Sequence, residues 1–240
     1  HNANGITGND VSGKRSLYVI SDRTVYTRRM NFNTVLNTSF GKHVDFSSGI
    51  TFQNQDNHYY LQVADLLGGD YWLDVNQFGE RDFPTDPNDG VNNVDCTNCV
   101  VKKGDKYGYN YNINLTKTAA WVQGVFKYKK VDFFAAAEGS NTQFYRTGNV
   151  RNGLYPSDSY GKGDNNSFTN YSVKAGTTYK INGRNYIYAS GSIGTKAPYF
   201  ENVYLSPRTR NTQQDNVTNE SFQSFEAGYT MNAPKLKVHL

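Results

Sequence analysis

Tyr171-Ser172-Val173-Lys174-Ala175-Gly176-Thr177-Thr178-Tyr179-Lys180-Ile181-Asn182-Gly183-Arg184-Asn185-Tyr186-Ile187-Tyr188-Ala189-Ser190 is the stretch that decides the fold class. Tyr171, Val173, Ala175, Thr177, Tyr179 and Ile181 alternate with Ser172, Lys174, Gly176 and Lys180. A period of two is the strand period, because successive side chains point to opposite faces of a sheet. Asn182-Gly183 then marks a tight reversal. The chain returns with Ile187, Ala189 and Ile193 on one face and Tyr186, Tyr188, Ser190 and Ser192 on the other. The result is a hairpin with one apolar and one polar face.

The same alternation recurs on both sides. Met30, Phe32, Thr34, Leu36 and Phe40 oppose Asn31, Asn33, Asn37 and Ser39, and Val44, Phe46, Ile50 and Phe52 oppose Asp45, Ser47, Gly49, Thr51, Gln53 and Gln55. Tyr107, Tyr109, Tyr111, Ile113 and Leu115 share one parity, whereas beyond residue 119 the apolar set moves to Ala120, Val122, Phe126 and Tyr128. A one-residue slip reverses every side chain, so a β-bulge is expected within 116–119. Val131, Phe133, Ala135 and Ala137 lead the return strand. Phe225, Ala227, Tyr229 and Met231 carry a later one, and Leu236-Val238-Leu240 opens another. This makes seven strands and the start of an eighth. Tight turns fall at 41–43, 129–130, 182–183 and 232–235, with long connections at about 58–105, 147–166 and 196–218. Short and long connections alternate, which is the arrangement of a membrane barrel with turns on one rim and loops on the other. Strands of roughly 11–22 residues also exceed the usual 5–6 and reach the 9–11 that cross a bilayer. A soluble β-sandwich acting as a surface binding or adhesion module is the alternative reading.

Composition agrees with a sheet wet on one face. Only 37% of residues are hydrophobic and the mean hydropathy is -0.72, yet 15% are aromatic. The chain holds 29 Asn, 22 Gly and 19 Tyr, residues of turns and of half-exposed strands. Disordered chains lose aromatics, so disorder is excluded. Its 25 basic and 21 acidic residues are too balanced for a nucleic-acid partner. No apolar run is long enough for a transmembrane helix. Cys96 and Cys99, in Cys-Thr-Asn-Cys, form a loop-bracing disulfide or remain free thiols; zinc would need two further ligands. Asp86-Pro87-Asn88-Asp89-Gly90 is turn chemistry that only partly matches a calcium loop. No phosphate loop or nucleophile elbow is present, so neither a cofactor nor an enzymatic activity is expected.

Residues 184–232 carry a more specific pattern: Arg184 to Pro198 with its Tyr-rich strand and Lys196-Ala197-Pro198 exit, then Phe200, Asn202, Tyr204-Leu205-Ser206-Pro207, and Asn219-Glu220-Ser221 leading to Phe225-Glu226-Ala227-Gly228-Tyr229. This resembles the barrel of TonB-dependent outer-membrane receptors. The resemblance implies a Gram-negative outer-membrane location and a transmembrane barrel of roughly 22 strands with a plugged lumen. Residues 1–240 would then be a fragment of that barrel domain, serving energised uptake of a siderophore, haem, oligosaccharide or peptide. Its implied partners are outer-membrane lipid, a plug domain of the parent chain, the TonB complex and the imported ligand. Lys174 and Lys180, with Glu220 and Glu226, fall on the polar parity and are candidates for bracing the lumen. Tyr59, Tyr60, Tyr71, Trp72, Tyr155, Tyr199, Arg208 and Arg210 in the long connections are candidate ligand contacts; Tyr160 and Tyr204 belong to the same aromatic set.

Overall fold

A computed structural model describes residues 11–76, 82, 90–96 and 99–240. Nearly all of the periodic segments are strands. They are β1 (Ile20–Phe40), β2 (Val44–Asp65), β3 (Trp72–Leu73), β4 (Val100–Val101), β5 (Lys106–Lys127), β6 (Val131–Gly148), β7 (Gly161–Lys162), β8 (Asn166–Lys180), β9 (Asn185–Lys196), β10 (Glu220–Ala233) and β11 (Leu236–His239). One antiparallel sheet runs β1-β2-β5-β6-β8-β9-β10-β11, with β7 added to β6, while β3 and β4 form a separate two-stranded sheet. The calcium-like segment 86–89 lies outside the described residues.

This corrects the expected fold class. Among the described residues β1 and β11 end the strand order and do not pair with each other. The large sheet is therefore open, and the fold is all-β with two separate open sheets rather than a closed barrel of roughly 22 strands. The reason is physical: period-two alternation and hairpin connectivity are shared by every up-and-down antiparallel sheet, and neither encodes closure. The β1 edge carries Asp22, Arg23, Arg28 and Arg29, charges that oppose edge-to-edge pairing.

Strand pairing extends beyond the visible alternation. β1 begins ten residues before Met30, and β2 continues through Asn57 and Tyr59 to Asp65. Polar rungs carry this extension. Arg29 Nε donates to Gln55 Oε1 at 2.7 Å, Gln55 Nε2 to Asn57 Oδ1 at 2.7 Å, and Thr27 Oγ1 to the same Asn57 oxygen at 2.8 Å. Amide ladders pair strands without any apolar signal.

The phase change in β5 is not a bulge. Its register against β2 and β6 runs unbroken from Tyr111 to Phe126. The register shift lies instead opposite Tyr60/Leu61, at Gly108-Tyr109, where Gly108 adopts a φ of 68° that a glycine tolerates. The apolar residues change parity because the two halves of the sheet are apolar on opposite faces. At the loop-bearing end Tyr111, Ile113 and Phe144 lie under Val203 and Tyr204 of the connection from β9 to β10, with Tyr59, Phe168 and Phe200 packed around them. The register places Tyr59, Tyr111, Ile113, Phe144 and Phe168 on one face. Each buried side chain of this size contributes about 1.5–3 kcal/mol. Toward the tight turns the other face is apolar: Phe32, Leu36, Ile50, Val122, Phe133, Val173, Ile187 and Phe225 are all exposed there, Phe225 at 79%.

The clearest hairpin also departs from its expected turn. β8 ends at Lys180 and β9 starts at Asn185, so the reversal takes four residues. Asn182 Oδ1 accepts from the Arg184 N–H at 2.9 Å, the Asn185 N–H at 3.0 Å and Asn185 Nδ2 at 2.8 Å. The Asn182 side chain thus reinforces a four-residue reversal that the Ile181 and Asn182 N–H groups also close onto the Asn185 carbonyl, at 3.0 and 3.4 Å. Asn182→Ala is expected to destabilise the chain by about 1 kcal/mol, read from the urea unfolding midpoint; Gly183→Ala, which meets nothing within 4 Å, should be much milder. Equal losses for the two would contradict this assignment.

Candidate functional site

Three long connections leave the same end of the large sheet: 66–105, 149–165 and 197–219. The second and third are joined through Arg146, the residue two before the end of β6. Its side chain is 1% exposed. Its Nε donates to the Pro207 carbonyl at 2.6 Å, and Nη1 donates to the Ser159 carbonyl at 2.9 Å and to Asn211 Oδ1 at 2.6 Å. Its backbone N–H donates to the Tyr204 hydroxyl at 2.9 Å, and its guanidinium lies 5.3 Å from the Tyr111 ring centroid. Burial pulls the guanidinium down to about 10, which leaves it charged at neutral pH. A buried cation needs such a set of acceptors.

Further bonds complete the junction. The Asn211 N–H donates to the Asp158 carbonyl at 2.7 Å. Asp158 Oδ2 accepts from the Thr212 N–H at 2.9 Å and from the Thr212 hydroxyl. The Ser159 hydroxyl accepts from the Asn152 N–H at 2.8 Å, and the Gly163 N–H donates to the Arg146 carbonyl at 2.8 Å. Between the two loops lies a depression of about 580 Å³ lined by residues including Asp158, Tyr160, Lys162, Asp164, Asn211 and Gln213. Tyr160 is 56% exposed, and the Arg151 guanidinium stands 5.4 Å from its ring centroid.

The aromatic and basic residues singled out in the sequence do not converge. Tyr59 stacks on Tyr111 at 5.0 Å and belongs to the packed end of the sheet. Tyr60 has Lys106 Nζ 4.3 Å from its centroid. Tyr71 is buried with Leu73 and Val75, and Trp72 pairs with Val101. Tyr155 is covered by Arg210 at 4.5 Å, and Arg208 covers Tyr109 at 5.2 Å. Tyr199 is exposed beside Lys196. The register puts Lys174, Lys180, Glu220 and Glu226 on one face. There Lys180 pairs with Asp132 at 2.7 Å, Glu220 pairs with Lys196 at 2.9 Å, and Glu226 accepts from the Tyr188 hydroxyl at 3.1 Å. Lys174 Nζ lies 5.8 Å from the Phe134 centroid. Arg146, Ser159 and Asn211 escaped sequence reading. The signal was the parity of Arg146, which places a charge in register with Ile113 and is visible only once the pairing is known.

The first connection is anchored separately. Asp74 is buried, and its Oδ1 accepts from Asn92 Nδ2 at 2.7 Å and from the Gly108 N–H of the bulge at 2.8 Å. Its own N–H donates to the Cys99 carbonyl at 2.7 Å. Cys96 and Cys99 are joined by a disulfide.

No family model matches the chain, and no curated protein matches it. The resemblance of residues 184–232 to TonB-dependent receptors is corrected accordingly. Its Tyr-rich strand and paired glutamates are strands of an open sheet, in which Glu220 and Glu226 are engaged by neighbouring strands. The implied outer-membrane location, energised uptake, and partnership with outer-membrane lipid, a plug domain and the TonB complex fall with that resemblance, since the open sheet supplies no barrel to carry them. No helix among the described residues is long and apolar enough to cross a membrane, a statement about helices alone.

Burial raises the Asp74 carboxyl above the usual carboxylate range, against the opposing hydrogen bonds from Asn92 and Gly108. A folded-state value above the unfolded one means that this group's contribution to stability is fully present below about pH 3.9 and is lost as pH rises through the raised value. Asp74→Asn retains an acceptor oxygen and removes the charge. Its unfolding midpoint is expected to gain on that of the parent chain as pH is raised from 3 to 8. Asp74→Ala leaves the Gly108 N–H unpaired and should cost about 1–3 kcal/mol. Parallel pH profiles for Asp74→Asn and the parent chain would contradict the assignment.

Proposed function

We propose that this chain is a ligand-binding module that recognises a small polar ligand at the loop-bearing end of its large sheet, without catalytic turnover. The observation that carries this reading is the depression between 157–164 and 211–213, whose walls come from two loops fixed to each other by Arg146 and by the Asn211–Asp158 bond. A cleft held in shape before binding costs its ligand little ordering entropy. Its volume, about 580 Å³, falls within the roughly 300–1,000 Å³ of small-molecule sites.

The lining indicates the ligand chemistry. Tyr160 offers an exposed aromatic ring, Asp158 and Asp164 offer carboxylate acceptors, Lys162 a cationic donor, and Asn211, Thr212 and Gln213 amide and hydroxyl groups. Donors and acceptors around one aromatic ring suit a molecule carrying several hydroxyls and a weakly polar face, such as a sugar ring. The large exposed apolar residues toward the tight turns lie far along the strands from this end and take no part in it.

The test is calorimetric titration with a neutral oligosaccharide panel that includes maltohexaose and chitotriose. At least one member should bind the parent chain. Tyr160→Ala should weaken that binding about tenfold, or ~1.4 kcal/mol, and Asp164→Asn should weaken it while preserving the fold. Tyr26→Ala, on the edge strand β1, should leave it unchanged. Binding insensitive to Tyr160 and Asp164, or no binding across the panel, would overturn the reading.

A further inference from the structure

The segment that contains the disulfide touches both the sheet and the loop that forms one wall of the depression. On the sheet side the Asp74 N–H donates to the Cys99 carbonyl at 2.7 Å, Asn92 Nδ2 donates to Asp74 Oδ1 at 2.7 Å, and that same oxygen accepts from Gly108 of β5. Val91 bridges Val75. On the loop side the Val94 N–H donates to the Arg151 carbonyl at 2.8 Å, and the Gly153 N–H donates to the Val91 carbonyl at 3.1 Å. Arg151 Nη1 pairs with Asp95 Oδ1 at 3.4 Å. Arg151 in turn covers Tyr160 of the depression. Residues 91–96, with Cys99, thus form a strut between β5 and the 149–165 loop.

Its local conformation depends on the cross-link. Cys99 is 3% exposed and sits at a φ of 49°, a left-handed conformation that non-glycine residues disfavour. The disulfide to Cys96 and the Asp74–Cys99 bond hold it there. Cys96 is partly exposed, so a small thiol can reach the bond.

We infer that the Cys96–Cys99 disulfide is a redox-sensitive latch on the depression, a role that rests on the binding reading above. Reduction by a dithiol transfers two electrons and two protons to the Cys96–Cys99 bond and leaves two thiols, while the dithiol closes to its own disulfide. Cys99 is then free to leave the left-handed region and withdraw its carbonyl from Asp74. The strut loosens, and with it Val94–Arg151, Gly153–Val91 and the seat of Tyr160. Among the described residues no hydrogen bond joins the Arg146 junction to Cys96 or Cys99, so that junction retains its bonds to Ser159, Pro207 and Asn211.

Amide hydrogen exchange of the full chain tests this without a ligand, comparing oxidised chain, chain reduced with dithiothreitol, and Cys96→Ser/Cys99→Ser. The Val94 and Gly153 amides should exchange at least tenfold faster in both states that lack the disulfide, while the Gly163 amide, bonded to Arg146, and the Asn185 amide at the far hairpin stay unchanged. In parallel, maltohexaose titration should show weaker affinity after reduction. Unchanged exchange at Val94 and Gly153 would overturn the latch. So would a uniform rise that includes Asn185, because the bond would then support the whole fold rather than one strut. Loosening of the strut with oligosaccharide affinity unaltered would overturn the coupling. Absence of any oligosaccharide binding to the oxidised chain counts against the binding reading and, since the latch rests on it, against its functional role, whereas the exchange result reports on the strut alone.

Discussion

A single buried guanidinium organises the loop-bearing end of this protein. Arg146 carries a positive charge into a site that is almost wholly shielded from water, where an unpaired cation is prohibitive. Its acceptors come from two different connections, Ser159 from one and Pro207 and Asn211 from the other. Neither loop alone satisfies the fork. Each therefore fixes the other, and the polar depression between them exists because this charge must be paired. The apolar layer beneath, Tyr111, Ile113, Phe144, Val203 and Tyr204, keeps water away and so raises the cost of breaking any one bond.

The large sheet is organised around this arrangement. Its apolar side changes along the strands because the loops cover one face at one end only. The inversion in β5 needs no backbone irregularity, since a strand can be apolar on opposite faces in its two halves when different things cover them. The irregularity that does occur, at Gly108, serves the first connection by turning its N–H toward the Asp74 carboxylate.

Much of the strand content was legible from alternation. The hairpin around 182–183, the strands through Phe32, Phe46, Ile113, Phe133 and Phe225, and their antiparallel order followed from parity and turn residues. Closure was not legible, because alternation describes a strand's two faces and is silent on whether the outermost strands meet. The extensions of β1 before Met30 and of β2 beyond Gln55 were hidden because Thr27, Arg29 and Asn57 pair through polar side chains rather than apolar contacts. The site was the least legible part. Tyr59 and Tyr71 were read as candidate ligand contacts of the long connections; the structure packs Tyr59 against Tyr111 and buries Tyr71 with Leu73 and Val75, since aromatic content does not report which ring finds a neighbour. Arg146 drew no attention because a lone arginine at a strand end is ordinarily solvated. Only the register reveals that it enters the apolar layer.

Hydrogen exchange of Arg146→Lys, followed amide by amide over 152–163 and 203–214, is the most direct test of the central claim. Lysine keeps the charge but lacks the planar fork that reaches three acceptors. Both loops should lose protection together, by a similar factor, while the Asn182-capped hairpin at the opposite end stays protected. Loss confined to one loop, or protection unchanged in both, would show that the two connections are ordered independently and that Arg146 does not build the site.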